Sequence, residues 1–140
     1  MASAISEIYT SLSGMSITGV TARNIEEVKL SINQGDLPVR MLLPSTSGEL
    51  EFVALGSLNK ITWVIRDLCL WAPLSAGAGI QDYAEDMVDY IKDYLVLVKD
   101  NRCPTDNSSI SGVAVQMGPI PWAAEDYWAV DITITVEEIL

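Results

Sequence analysis

The segment from Trp128 to Val136 constrains the fold more than any other. Trp128, Val130, Ile132, Ile134 and Val136 share one parity, and Ala129, Asp131, Thr133 and Thr135 take the other. A period of two with one apolar side describes a strand with one buried and one solvated face. One strand cannot bury such a face alone. The chain must therefore build a sheet and cover one side of it.

The rest of the sequence supplies partners for that strand. Leu37, Val39, Met41 and Leu43 alternate, with Pro38 marking a strand beginning or an edge. Pro44-Ser45-Thr46-Ser47-Gly48 has the composition of a loop. Leu50 to Leu55 and Ile61 to Trp71 flank Gly56-Ser57-Leu58-Asn59 and read as a hairpin. In the second arm Ile61, Trp63, Ile65, Cys69 and Trp71 share one parity, whereas Val64, Leu68 and Leu70 take the other. Either both faces are partly covered, or a bulge near Arg66-Asp67 reverses the alternation. Val113, Val115 and Met117 suggest a further strand, interrupted by Gly118-Pro119-Ile120-Pro121. Residues 16–36 are ambiguous: Val28, Leu30 and Ile32 alternate, but Asn24, Glu26 and Glu27 suit a helical start.

Two segments carry helical spacing. Residues 2–13 place Ile5, Ile8, Tyr9 and Leu12 at three- and four-residue intervals, with Gly14 as a stop. Residues 79–99 form the clearer helix. Its stripe is Ile80, Tyr83, Ala84, Met87, Val88, Ile91, Tyr94, Leu95 and Val98, and Asp82, Glu85, Asp86, Asp89 and Asp93 lie opposite. The expected fold is one α+β domain spanning residues 1–140. It is a mostly antiparallel sheet with one long helix and a short N-terminal helix packed on one face.

With 140 residues, 49% of them hydrophobic, the chain is large enough to bury a core without staples. No apolar run is long enough for a membrane helix, and Met1 to Ile8 lacks the pattern of a secretory signal. Cys69 and Cys103 make no metal framework and read as free thiols. A net charge of −11 argues against tight binding to nucleic acid or to an anionic membrane surface.

The chain contains no histidine. The commonest general base and metal ligand is thus missing, and a Ser-His-Asp or Cys-His site is excluded within one chain. Ala76-Gly77-Ala78-Gly79 precedes a helix but lacks the Gly-Lys-Ser/Thr ending of a phosphate loop. Asp82 and Glu85 would repel phosphate at that helix end. We therefore expect no catalytic residues, no cofactor and no metal: a structural or binding subunit rather than an enzyme.

Two surfaces remain. The row Asp82, Glu85, Asp86, Asp89 and Asp93 is either a solvated helix face or, repeated around a ring, a negative wall past which DNA slides. Trp122, with Ile120 and Pro121, either anchors a partner or folds back over the sheet. Leu43, Pro44, Ser45 and Thr46 form a second candidate contact arm. Trp63 and Trp128 read as core.

The order of elements resembles the tail terminator, or tail completion, proteins of long-tailed bacteriophages. The resemblance is one of pattern and covers nearly the whole chain. It rests on the opening helix with Ile5-Ser6-Glu7-Ile8-Tyr9 and on Asp36-Leu37-Pro38-Val39-Arg40-Met41, like a Pro-led strand of that family. A hairpin containing Phe52 and Trp63 follows, then the long helix, then the aromatic-led strand Tyr127 to Val136. The Pro119-Ile120-Pro121 interruption is not a required family feature. The resemblance implies a hexameric ring in the neck of the virion, assembled in the host cytoplasm. That ring would cap the tail tube protein, join it to the head–tail connector protein, and let DNA pass without sequence-specific binding. Head–tail connector and tail tube subunits share similar size and ring assembly. A non-viral monomeric protein-binding module using Trp122 is the alternative of a different class.

Overall fold

The computed structural model describes residues 4–15, 17, 19–23, 37–54, 58–74, 83–122 and 125–139. Its elements run α1 (Ala4–Ser13), β1 (Thr21–Arg23), β2 (Val39–Ala54), β3 (Leu58–Pro73), α2 (Ala84–Asp100), β4 (Ser108–Trp122) and β5 (Glu125–Ile139). The strands form one sheet in the order β1-β2-β3-β5-β4. Among the described residues only the short β1 pairs in parallel, and every other pairing is antiparallel. The fold is thus α+β as expected, with a ten-residue and a seventeen-residue helix.

Both helices cover one face. Ile8, Tyr9 and Leu12 of α1 and Met87, Tyr90, Tyr94 and Val98 of α2 join Leu42, Ile65, Cys69, Val130, Ile132, Ile134 and Val136 in one core. Trp63 and Trp128 pack against that core, half-buried. α1 stops at Gly14, whose N–H donates to the Thr10 carbonyl at 3.1 Å. At the end of α2 the Asn101 side chain donates to the Leu97 carbonyl at 2.8 Å. Such bonds satisfy carbonyls that a helix terminus leaves open. Glu85 and Asp86 in the first turn and Lys99 in the last complement the α2 dipole.

The opposite, back face of the sheet is divided. At one end it is polar: Arg66 meets Asp131 at 2.6 Å, and Lys60 meets Glu137 at 3.3 Å. At the other end Val39, Met41, Leu68, Leu70, Tyr127 and Ala129 form a second buried cluster. This answers the mixed parity of β3, because both faces are covered between Asp67 and Leu70. β3 keeps a constant register with β5 from Lys60 to Leu70, and the irregularity beside Arg66 lies in β2, between Leu43 and Ser47.

Two expectations about loops are corrected. Pro44, Ser45 and Thr46 lie within β2 at that register shift, not in a projecting loop. Pro119 and Pro121 do not interrupt the fourth strand, which continues to Trp122 and pairs Pro119 with Trp128 and Pro121 with Asp126. The reason is common to both sites. Proline lacks the ladder donor and survives in a sheet at bulges and edges. Among the described residues β4 ends the strand order, and β1 flanks β2 from Val39 to Met41.

The α2 stripe is also rotated from the expected one. Tyr90 is in the core, whereas Val88 and Leu95 are exposed. The helical or extended reading of residues 24–36, the Ala76-Gly77-Ala78-Gly79 segment and the positions of Ile80 and Asp82 lie outside the described residues.

Candidate interaction surface

Among the described residues the most heavily bonded polar group is internal. Arg40 of β2 and Asp67 of β3 are both buried on the helix side of the sheet, with Arg40 Nε 3.2 Å from Asp67 Oδ2. The contact is ionic and not an aligned hydrogen bond. The other two guanidinium nitrogens donate to the carbonyls of Leu12, in α1, and of Met15, just past the end of that helix. Tyr94 of α2 donates its hydroxyl to Asp67 Oδ2 at 2.6 Å, and the Arg40 guanidinium lies 5.6 Å from the Tyr94 ring centre. Two helices and two strands thus meet at one buried ion pair.

Burial pushes the Asp67 carboxyl up, while Arg40 and the Tyr94 hydroxyl pull it down; the balance lies above the ordinary carboxylate value. Burial first, and the Asp67 charge second, raise the Cys69 thiol and the Tyr94 hydroxyl. Burial raises the Tyr90 hydroxyl as well, with Cys69 next to it adding to the shift. All of these side chains are buried, and the ensemble fastens the helices to the sheet. In the sequence Asp67 marks a possible bulge and Arg40 lies in the Pro-led strand, and neither is singled out there as a buried charge. Their pairing depends on a register that spacing does not reveal.

The acidic row reaches the surface. Glu85, Asp86, Asp89 and Asp93 are exposed on α2, and Asp82 lies outside the described residues. Asp86, Asp89 and Asp93 border a groove of about 220 Å³ shared with Trp71, Tyr90 and Pro38. The Trp71 and Tyr90 rings meet edge to face at 5.8 Å. Among the described residues no three His, Cys, Asp or Glu side chains are placed to hold a metal ion.

The two proposed contact arms converge. Leu43 of β2 and Ile120 and Trp122 of β4 all pack, half-buried, against the back-face cluster, with Leu37 beside them. They form its rim. Pro121, of opposite parity, is exposed. Trp122 is therefore the last residue of a strand folded against the sheet and not the tip of a separate loop. The side chains of Pro44, Ser45 and Thr46 lie outside the described residues. No helix among the described residues is long and apolar enough to cross a membrane.

Compared with models of known protein families and with curated proteins, the chain matches none.

Proposed function

We propose that the chain is a structural subunit of a phage tail, a tail terminator that assembles into a hexameric ring between the tail tube and the head–tail connector. The observation that carries this reading is the exposed row Glu85, Asp86, Asp89 and Asp93 along one side of α2, in a chain of net charge −11. Brought together by ring symmetry, such rows give a negative surface that keeps DNA mobile. The rim of Leu43, Ile120 and Trp122 is apolar and half-exposed, a composition suited to anchoring a protein neighbour. In this reading it meets the tube protein or the connector. In this reading the buried Arg40–Asp67 pair holds the scaffold together, and the role of the subunit is structural.

The same rim favours a second reading, a protein-binding module that docks one partner through Trp122. Native mass spectrometry across protein and salt concentration, followed by co-assembly with tail tubes, separates the two. Six-copy particles, or tubes whose growth stops on addition of the protein, uphold the ring. A subunit that stays a monomer and leaves tube growth unchanged overturns it. Replacing Asp86, Asp89 and Asp93 with lysine should preserve assembly and slow DNA passage. Unchanged infectivity with intact assembly would instead mark the row as a solvated face.

A further inference from the structure

The outer edge of β4 is unusually specified. Among the described residues no strand pairs on its outer side. From Gly112↔Thr135 to Trp122↔Glu125 its register with β5 is unbroken. Pro119 and Pro121 lie within that run. A proline fits a ladder only where its nitrogen faces away from the neighbouring strand. Odd-numbered residues here therefore turn their backbone groups outward. The hairpin register agrees: Trp122 is registered with Glu125 across a two-residue connection, and in a two-residue hairpin the closing pair is the kind that exchanges ladder hydrogen bonds. The outward N–H and C=O groups of this stretch thus belong to Val113, Val115 and Met117.

Both ends of the stretch are closed. Upstream, the Ile110 N–H donates to the Arg102 carbonyl at 2.7 Å, so the segment after α2 covers the edge there. Downstream, Pro119 and Pro121 have no N–H to offer. Between them the edge lacks the usual protections against pairing, such as an edge lysine or an inward charge. β4 contains no Asp, Glu, Lys or Arg from Ser108 to Trp122, although the chain carries −11 overall.

We infer that this edge pairs with the same edge of a second copy, antiparallel about Val115. In that register Val115 faces the partner's Val115, and Val113 faces the partner's Met117. Pro119 falls opposite the partner's Ser111, where the ladder ends on both sides. The open stretch is thus self-complementary in length, hydrogen bonding and side-chain character. A second copy also fits the charge distribution: two chains of net charge −11 repel overall, but along this uncharged strand no like charges lie opposite one another. The product is a continuous ten-stranded sheet across a two-fold axis. A contact this short buries far less than the roughly 800 Å² per partner of a standard interface, so the dimer is weak and concentration-dependent.

The experiment is sedimentation equilibrium from micromolar to millimolar protein, comparing the wild type with Val115→Pro and Val115→Lys. The proline sits where its nitrogen faces outward, so β4–β5 pairing and the circular dichroism spectrum survive. The expected result is a wild-type mass rising from 15.2 kDa toward twice that value, more readily at high salt because net repulsion is screened. Each folded variant should require at least about tenfold more protein to dimerise. A wild type that stays monomeric to millimolar concentration, or variants that associate like the wild type, overturns the inference. A two-fold contact closes on itself and builds no ring. A six-copy mass unchanged by Val115→Pro therefore upholds the proposed function while overturning this one.

Discussion

The Tyr94 hydroxyl and the Asp67 carboxylate, 2.6 Å apart, join α2 to the middle of the sheet through the same oxygen that faces Arg40. The packing of α2 is thus fixed by a direction-dependent bond as well as by apolar contact. Asp67 Oδ1 is buried without a hydrogen-bond partner, so the carboxylate depends heavily on the contacts it does make.

Removing one member of the ion pair should be costly. Arg40→Met or Asp67→Leu leaves an uncompensated buried charge and is expected to lower stability by about 3–5 kcal/mol. The double variant should lose much less than the two single losses together, because it removes both charges. Urea denaturation of the four proteins measures the coupling. Strict additivity would contradict the pairing.

The buried hydroxyls and thiol predict an alkaline loss of stability. Tyr90, Tyr94 and Cys69 hold their protons more tightly in the folded chain than in water. Above about pH 8.5 for the thiol and about pH 10 for the phenols, the unfolded chain releases protons that the folded chain keeps. Stability is fully present below those values and falls as pH rises, by up to about 1.4 kcal/mol per pH unit for each group. Thermal unfolding of the wild type and Tyr90→Phe between pH 7 and 11 tests this. The Tyr90 hydroxyl is buried without an aligned hydrogen bond, so its removal should cost less than about 1 kcal/mol at pH 7 and flatten the alkaline slope.

Thiol reactivity should divide the two cysteines. Cys103 is exposed, whereas Cys69 is buried with its thiol raised by burial. A disulfide reagent should therefore label Cys103 within minutes and Cys69 only as fast as the chain opens. Mass spectrometry of peptides quenched over time reads the outcome. Equal rates at both sites would disprove the burial of Cys69.

Amide exchange along β4 should alternate. The N–H groups of Ala114 and Gln116 face β5, so they are expected to exchange slowly in dilute protein, while those of Val113, Val115 and Met117 exchange fast. Residue-resolved NMR distinguishes this pattern from uniform protection, which would mean that another segment covers the edge.

Much of the fold was legible because its elements have clean periods. The alternation from Trp128 to Val136 is β5, and the paired runs around residues 56–59 are the β2–β3 hairpin. Pro44, Pro119 and Pro121 were misread for one reason. A proline's tolerance in a strand depends on whether that strand has a neighbour, and neighbourhood is a tertiary property. Leu43 and Trp122 looked like two separate arms because nothing local says that the start of β2 and the end of β4 meet the same back-face cluster. The wide stripe of α2 hid its phase. Val88 and Leu95 fit the periodicity as well as Tyr90 does, and only packing decides which of them turns inward.

The hold of Arg40 on the Leu12 and Met15 carbonyls has a consequence for how the molecule comes apart. A short helix placed before the first strand is ordinarily among the earliest parts of a domain to fray. Here its departure would strip a sealed guanidinium of two acceptors and let water in beside Asp67. Fraying of α1 is therefore no cheap local excursion, and this helix should open only together with the centre of the sheet, as one cooperative unit.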